Sequence, residues 1–213
     1  MSNKKKGRIF SFQYLAFDLI RFTAIIPGLI WLRPKIIFES NVAKKKVKDG
    51  ALLISNHSGF FDPIYLQFCI WYRRLNFVCR KEFFNGVSGV FFRVFHCIGI
   101  DKENCSFDAF RNIIDILKSD KIVAMFPEGQ VNDGSGQLAQ FKTGVAMLAL
   151  KSGKPVVPVY IKRKEHFYNR IVMVVGETIE TDKLFPETGA FAKIDKIAEY
   201  LYEKEKYLKE LAK

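Results

Sequence analysis

Residue types that carry metal or redox chemistry are scarce in this chain. Its 213 residues include 4 cysteines and 3 histidines. Cys69, Cys79, Cys97 and Cys105 form no C-x-x-C pair, and no histidine stands at zinc-ligand spacing from them, which excludes a zinc finger or ribbon. Reduced thiols in apolar surroundings are expected instead. Long apolar runs are missing as well. The longest uncharged stretches, 22–32 and 50–61, fall short of the roughly 20 residues that a simple membrane-spanning helix needs. The basic start is followed by no small-residue cleavage site, so no secretory signal is expected. No Gly-x-Ser-x-Gly elbow appears, which argues against a serine hydrolase. Internal repeats and low-complexity tracts are absent. Acidic residues are in deficit, 22 Asp/Glu against 34 Lys/Arg, for a formal charge of +12.

What is present supports a substantial core. Apolar residues make up 49% of the chain and phenylalanine alone contributes 21. The length predicts one domain with a short appendage: an N-terminal segment over 1–40 and an α/β domain over 41–213. A basic chain seeks an anionic partner, whether nucleic acid, a membrane face or a phosphorylated substrate. The charge is unevenly placed. Residues 1–50 hold 11 Lys/Arg and 3 Asp/Glu, so two thirds of the excess lies in the first quarter. Within it, 8–33 is dense in Phe and aliphatic residues with Arg8, Arg21 and Arg33 interspersed. That mixture suits helices lying in a membrane interface; an ordinary helical hairpin packed on the core is the other reading. Pro27-Gly28 predicts a break into two short helices.

Periodicity gives the rest of the plan. Short apolar runs at 51–55, 75–79, 97–100, 121–126, 156–161 and 170–175 read as strands. Helices are expected over 63–72, 86–95, 106–118, 141–152 and 191–211. The last two sit beside clear signals: Gly153 and Pro155 stop one, and Phe191, Ile194, Ile197, Ala198, Leu201 and Leu208 share a face of the other. The basic run 44–48 reads as a solvated loop, with contact to lipid headgroups as the alternative. Strands alternating with helices predict a central sheet flanked by helices.

Two loops carry chemistry-bearing residues. Asn56-His57-Ser58-Gly59-Phe60-Phe61-Asp62 joins a strand to a helix. Folded back, it would bring the Asp62 carboxylate to the His57 imidazole, fixing its tautomer and raising the basicity of the other nitrogen. Taken alone, Asp62 followed by Pro63 is equally an N-cap. Phe126-Pro127-Glu128-Gly129 ends a buried strand, where ligand sites of open α/β sheets gather. By itself it is a turn.

The two loops in this order, about 65 residues apart, resemble the glycerolipid acyltransferase family, with its N-H-x-x-x-x-D and F-P-E-G motifs. The resemblance covers about residues 50–161. Val78–Phe84 looks like the family's basic segment, Gly99–Glu103 its second motif, Phe141–Gly144 its lysine-and-glycine helix start, and Val157-Pro158-Val159 its last short strand. The fold implied is α/β, a central mixed sheet flanked by helices, with an N-terminal membrane-associated helical segment. The reaction implied is transfer of a fatty acyl chain from acyl-CoA or acyl-carrier protein to the free hydroxyl of a lysolipid, 1-acyl-sn-glycerol-3-phosphate foremost. His57 would be the general base and Asp62 its orienting partner. Backbone N–H groups of the 57–61 loop, or a nearby cation, would stabilise the oxyanion. Glu128 and Gly129 would shape the acceptor pocket. Lys102, Arg80 and Lys142 would contact anions, and Asn56 is placed with them. No metal or tightly held cofactor is implied. Because lysolipid and product live in a bilayer, the enzyme would sit at the cytoplasmic face of the membrane, peripheral or monotopic, on anionic lipid.

The chain departs from the pattern after F-P-E-G. Gln130-Val131-Asn132 stands where members acting on phosphatidic acid precursors usually have Thr-Arg-Ser. The missing Arg removes a bidentate phosphate partner, so a different lysolipid such as lyso-ornithine lipid is an alternative acceptor. An alternative of another class is an acyl thioester hydrolase in which the pair activates water. Nucleic acid is not expected as a partner, since no helix-turn-helix, RRM or zinc-finger pattern accompanies the charge.

Overall fold

The computed structural model describes residues 15–86, 88–101, 107–131, 137–162 and 170–213. Its seven strands are β1 (Lys35–Phe38), β2 (Ala51–Ser55), β3 (Leu75–Arg80), β4 (Ile98–Ile100), β5 (Ile122–Met125), β6 (Val156–Lys162) and β7 (Val172–Val175). They form one sheet in the order β1-β7-β6-β2-β5-β3-β4. The pairs among β6, β2, β5, β3 and β4 are parallel, whereas β7 is antiparallel to β6 and β1 is parallel to β7. The sheet is therefore mixed, with five strands running one way and two outer ones running back. The strands expected from the apolar runs all form. Lys35–Phe38 is a strand that no apolar run predicts, because four residues after Pro34 are too few to show a period.

β2 lies at the centre and is buried along its whole length. This is why it reads as a continuous apolar run rather than an alternation. Its side chains divide between two cores. Leu52 and Ile54 face α4 (Phe107–Lys118), α5 (Gly144–Ser152) and α6 (Ala190–Leu211), where they meet Ile113, Leu117, Val145, Ala149, Ile197 and Leu201. Ala51 and Leu53 face the opposite side, where Leu66 and Cys69 of α2 (Asp62–Cys69) pack with Leu75, Val159 and Met173. Burial pushes the Cys69 thiol up to about 12, so it stays protonated. Phe191, placed by periodicity on the apolar face of α6, is exposed, and so is Phe107 of α4. Phe107 is the first residue of its helix and Phe191 the second of its own, and the buried residues begin at Ile113 and Ile197, more than a turn later.

The N-terminal helix corrects one expectation. α1 (Leu15–Leu32) runs unbroken through Pro27. Tertiary packing outweighs the local break. A side chain at Gly28 would put its Cβ 2.0 Å from Cζ of Phe68 in α2, so the bare glycine lets the two helices touch. At its other end α1 is tied by Asp18, buried, which pairs with Arg21 and with Arg74 just before β3. Phe17 meets Phe95 edge-on, next to α3 (Ser88–Val94). Among the described residues no helix is long and apolar enough to cross a membrane.

Gly50 precedes β2 where the end of α4 crosses it. An added Cβ would fall 2.3 Å from the Leu117 carbonyl oxygen and 3.1 Å from Cα of Asp120, both backbone atoms. Gly50→Ala is expected to cost about 1–3 kcal/mol through displaced backbone, measured as a lower urea midpoint with an unchanged slope.

Candidate active site

β2 points its C-terminal end at a loop held by four side chains. Beyond Ser55, the last residue paired with β6, the Asn56 side chain continues the ladder. Its Nδ2 donates to the Ile161 carbonyl at 3.0 Å, and its Oδ1 accepts the Ile161 N–H at 2.7 Å. The amide thus serves as a spare peptide unit. Asn56 is buried, with both ends of its side chain engaged on β6. Its main-chain N–H donates to Glu205 of α6 at 3.2 Å.

His57 follows, and its Nδ1 lies 2.9 Å from Oδ2 of Asp62. Asp62 does not cap α2. The N-cap position is Phe61, and Asp62 is the first helical residue. Its carboxylate turns back into the loop, where Oδ2 accepts the N–H of Ser58 at 2.6 Å and of Gly59 at 2.8 Å, and Oδ1 accepts the Ser58 hydroxyl at 3.2 Å. The Asp62 side chain is 2% exposed and the His57 side chain 19%. With Nδ1 committed to Asp62, Nε2 is the nitrogen left for a reacting proton. The imidazole stacks on Phe126, ring centroids 4.0 Å apart and planes 12° from parallel. The sequence motif contained Phe126 but gave no signal that it supports the ring.

Glu128 is buried beneath the loop rather than open to it. Its Oε1 accepts the His57 N–H at 3.2 Å and its Oε2 the Ala139 N–H at 3.3 Å. Burial raises its pKa above the ordinary glutamate value, while the two N–H donors pull it down. Gly129 has φ +70°, a left-handed turn that favours glycine, and its N–H closes on the Phe126 carbonyl. Lys142 passes against this turn: a Cβ on Gly129 would be 2.9 Å from its Nζ. Lys142 is exposed, so its ammonium sits on the solvent side of the Glu128-Gly129 turn.

The structure thus gathers Asn56, His57, Asp62, Glu128, Gly129 and Lys142. Arg80 is elsewhere, exposed at the end of β3, two strands from β2. Lys102 lies outside the described residues. The N–H groups of His57, Ser58 and Gly59 are already taken by Glu128 and Asp62, which removes them as oxyanion donors and leaves those of Phe60 and Phe61, or a cation. A cleft of about 150 Å³ opens beside the loop, bordered by Ser58, Gly59, Phe60, Phe61, Tyr65 and Ile171. A roomier cavity of about 570 Å³, against β4, includes Lys81, His96 and Lys121 but neither His57 nor Asp62. Among the described residues no group of His, Cys, Asp and Glu is arranged to hold a metal ion.

Residues 34–162, from before β1 to the end of β6, match the family model named Acyltransferase. The chain belongs to the acyltransferase family. Several relatives of this acyltransferase are named 1-acyl-sn-glycerol-3-phosphate acyltransferase. That of Streptococcus pneumoniae is 31% identical over 113 residues, 52% of this chain and 41% of its own. That of Bacillus subtilis is 27% identical over 136 residues, 61% of this chain and 67% of its own. That of Limnanthes alba is 30% identical over 187 residues, 83% of this chain and 64% of its own. The chain thus spans from two fifths to two thirds of these relatives' lengths. In fold it is similar to the crystal structure of the 1-acyl-sn-glycerophosphate acyltransferase PlsC from Thermotoga maritima. The TM-score is 0.67 at 20% identity, over 93% of this chain and 80% of that one.

Asp62→Asn keeps the side-chain volume but replaces one acceptor oxygen by a donor. It is expected to cost about 1–3 kcal/mol and to speed amide exchange at Ser58 and Gly59 while the sheet stays protected, as followed by NMR.

Proposed function

We propose that this acyltransferase moves a fatty acyl chain from acyl-CoA or acyl-carrier protein to the free hydroxyl of a lysolipid, with 1-acyl-sn-glycerol-3-phosphate as the acceptor. The observation that carries this reading is the 2.9 Å contact between His57 Nδ1 and Asp62, with the imidazole stacked on Phe126. The names of the relatives favour the acceptor. In the reaction, His57 Nε2 takes the proton of the lysolipid hydroxyl as its oxygen attacks the thioester carbonyl carbon. A C–O bond forms and the carbonyl becomes an oxyanion. Asp62 holds the ring and stabilises the imidazolium. The C–S bond then breaks, and the departing thiolate recovers a proton from the imidazolium. Lys142, exposed beside the Gly129 turn, offers a cation close to where the family's Arg is missing. It would face the acceptor phosphate or the oxyanion.

The surface supports a membrane-bound acceptor. Because β1 runs opposite to β2, its first residue, Lys35, lies at the same end of the sheet as the catalytic loop. The last turn of α1 is thereby brought to that end, and the Leu32 carbonyl accepts the N–H of Ile171, a residue bordering the cleft. Trp31 is 78% exposed there and Phe60, on the loop itself, 80%. Ile30 and Phe61 are exposed beside them. Apolar side chains of this size on one end of the sheet suit insertion at the cytoplasmic interface, in a peripheral or monotopic manner.

His57→Ala is expected to lower lysolipid-dependent release of thiol from acyl-CoA by about 10²–10⁴-fold with unchanged circular dichroism. Near-normal transfer by the variant would sink the assignment. Thiol release that does not require the lysolipid would point to the hydrolase instead. The acceptor is settled by a panel of lysophosphatidate, lysophosphatidylglycerol and lyso-ornithine lipid, with lysophosphatidate expected to be fastest. The double substitution Ile30→Glu and Trp31→Glu is expected to shift the protein from pelleted anionic vesicles into the supernatant, with the melting temperature retained.

A further inference from the structure

We infer that Glu205, far from the catalytic motifs in sequence, is a positioning residue for His57, acting through the backbone of Asn56. The inference rests on the proposed acyl transfer at His57. Glu205 belongs to α6, and the spacing of its neighbours makes it an anomaly. Leu201 and Leu208 are fully buried on the inner face of the helix, and Glu205 falls between them at helical spacing and is itself fully buried. A position that should be apolar holds a carboxyl group.

The one hydrogen bond it makes among the described residues explains why. β2 ends at Ser55, and the next two N–H groups have no strand partner. Each is met by a carboxyl group from a different element. Asn56 N–H donates to Oε1 of Glu205 and His57 N–H to Oε1 of Glu128, both at 3.2 Å. The Asn56 side chain meanwhile locks onto Ile161. Three attachments, to α6, to the turn after β5 and to β6, therefore set the backbone from which the imidazole projects. Glu205 is the one that reaches from the C-terminal helix. Its other oxygen, Oε2, is buried without a hydrogen-bond partner among the described residues.

That unpaired oxygen indicates which form of the group the site holds. An ionised carboxylate with one oxygen bare in an apolar core is strongly disfavoured, whereas a neutral acid keeps Oε1 as an acceptor. Burial raises the Glu205 pKa well above the ordinary value, and the charge of Glu128 acts in the same direction. The Asn56 N–H opposes both. Tyr160 of β6 also faces the pair, and its pKa is pushed up to about 12 by burial and by Glu205 and Glu128. For an acid held neutral, the native state keeps a proton that the unfolded state releases once the pH exceeds the ordinary glutamate pKa. Stability from this group is full below that pKa and declines as the pH rises toward the raised value.

The test compares E205Q, which retains a carbonyl acceptor, with E205L and E205M, which do not. Three readouts are taken: lysophosphatidate-dependent thiol release, deuterium uptake of the peptide 53–62, and urea midpoints at pH 5 and pH 8. E205L and E205M are expected to lose about 10²-fold in kcat with KM held, and to exchange faster at Asn56 and His57. E205Q is expected to restore both properties. The E205Q midpoint should gain on wild type between pH 5 and pH 8, which tests the neutral acid even if E205L and E205M do not fold. Wild-type kcat in E205L, equal losses in all three variants, or a midpoint difference that ignores pH would overturn the inference. A wild-type protein that transfers nothing to any lysolipid would instead overturn the reaction. In that case faster uptake at 53–62 in E205L but not in E205Q would still uphold the positioning role, and equal uptake would overturn it.

Discussion

The carboxylate of Asp62 is the constraint from which the rest of the site follows. One oxygen, Oδ2, gathers His57 Nδ1 and the N–H groups of Ser58 and Gly59, within 2.6–2.9 Å. Almost fully buried, this carboxylate finds its hydrogen-bond donors within its own loop. The loop must therefore double back between β2 and α2. Once it does, the imidazole has one place to lie, flat on Phe126, and the backbone before it must find acceptors deeper in the core. Glu128 and Glu205 supply them. The geometry of the site is thus fixed from beneath by carboxyl groups and from the side by an aromatic face.

This arrangement inverts the charge pattern of the chain as a whole. The protein carries a net +12, yet Asp62, Glu128 and Glu205 are all buried around the end of β2. The cations lie mostly outside, where they meet solvent or aromatic faces. Lys46, in the basic loop after β1, approaches the rings of Trp71 and Tyr72. On the proposed reading, a basic surface over an acidic interior suits an anionic substrate carried on an anionic surface.

Much of the fold could be read from residue order. Central strands buried on both faces announce themselves as apolar runs, as at 51–55 and 156–161. Gly153 ends α5 with φ +63°, the left-handed cap its position indicates. What escaped reading depended on contacts distant in sequence. Pro27 fails to break α1 because Gly28 rests on Phe68. Lys35–Phe38 becomes a strand because β7 arrives beside it. Asp62 followed by Pro63 is locally ambiguous between a helix cap and a carboxylate turned to His57, and only the path of the loop decides. Asn56 belongs to a recognised motif, but nothing local reveals that its amide replaces a peptide unit against Ile161. Glu205 left the clearest unread signal, a charge in the middle of an apolar stripe.

The reversed pair of outer strands has a kinetic consequence. By turning β1 and β7 against the other five, the fold sets the end of α1 and the mouth of the cleft on one side of the molecule. On the proposed reading, the acceptor then arrives by lateral diffusion in a plane while the donor arrives through bulk water. Encounter with the acceptor is governed by its mole fraction in the bilayer, not by its amount per volume. Inert lipid added to the same vesicles acts as a diluent even though every other concentration in the tube is unchanged.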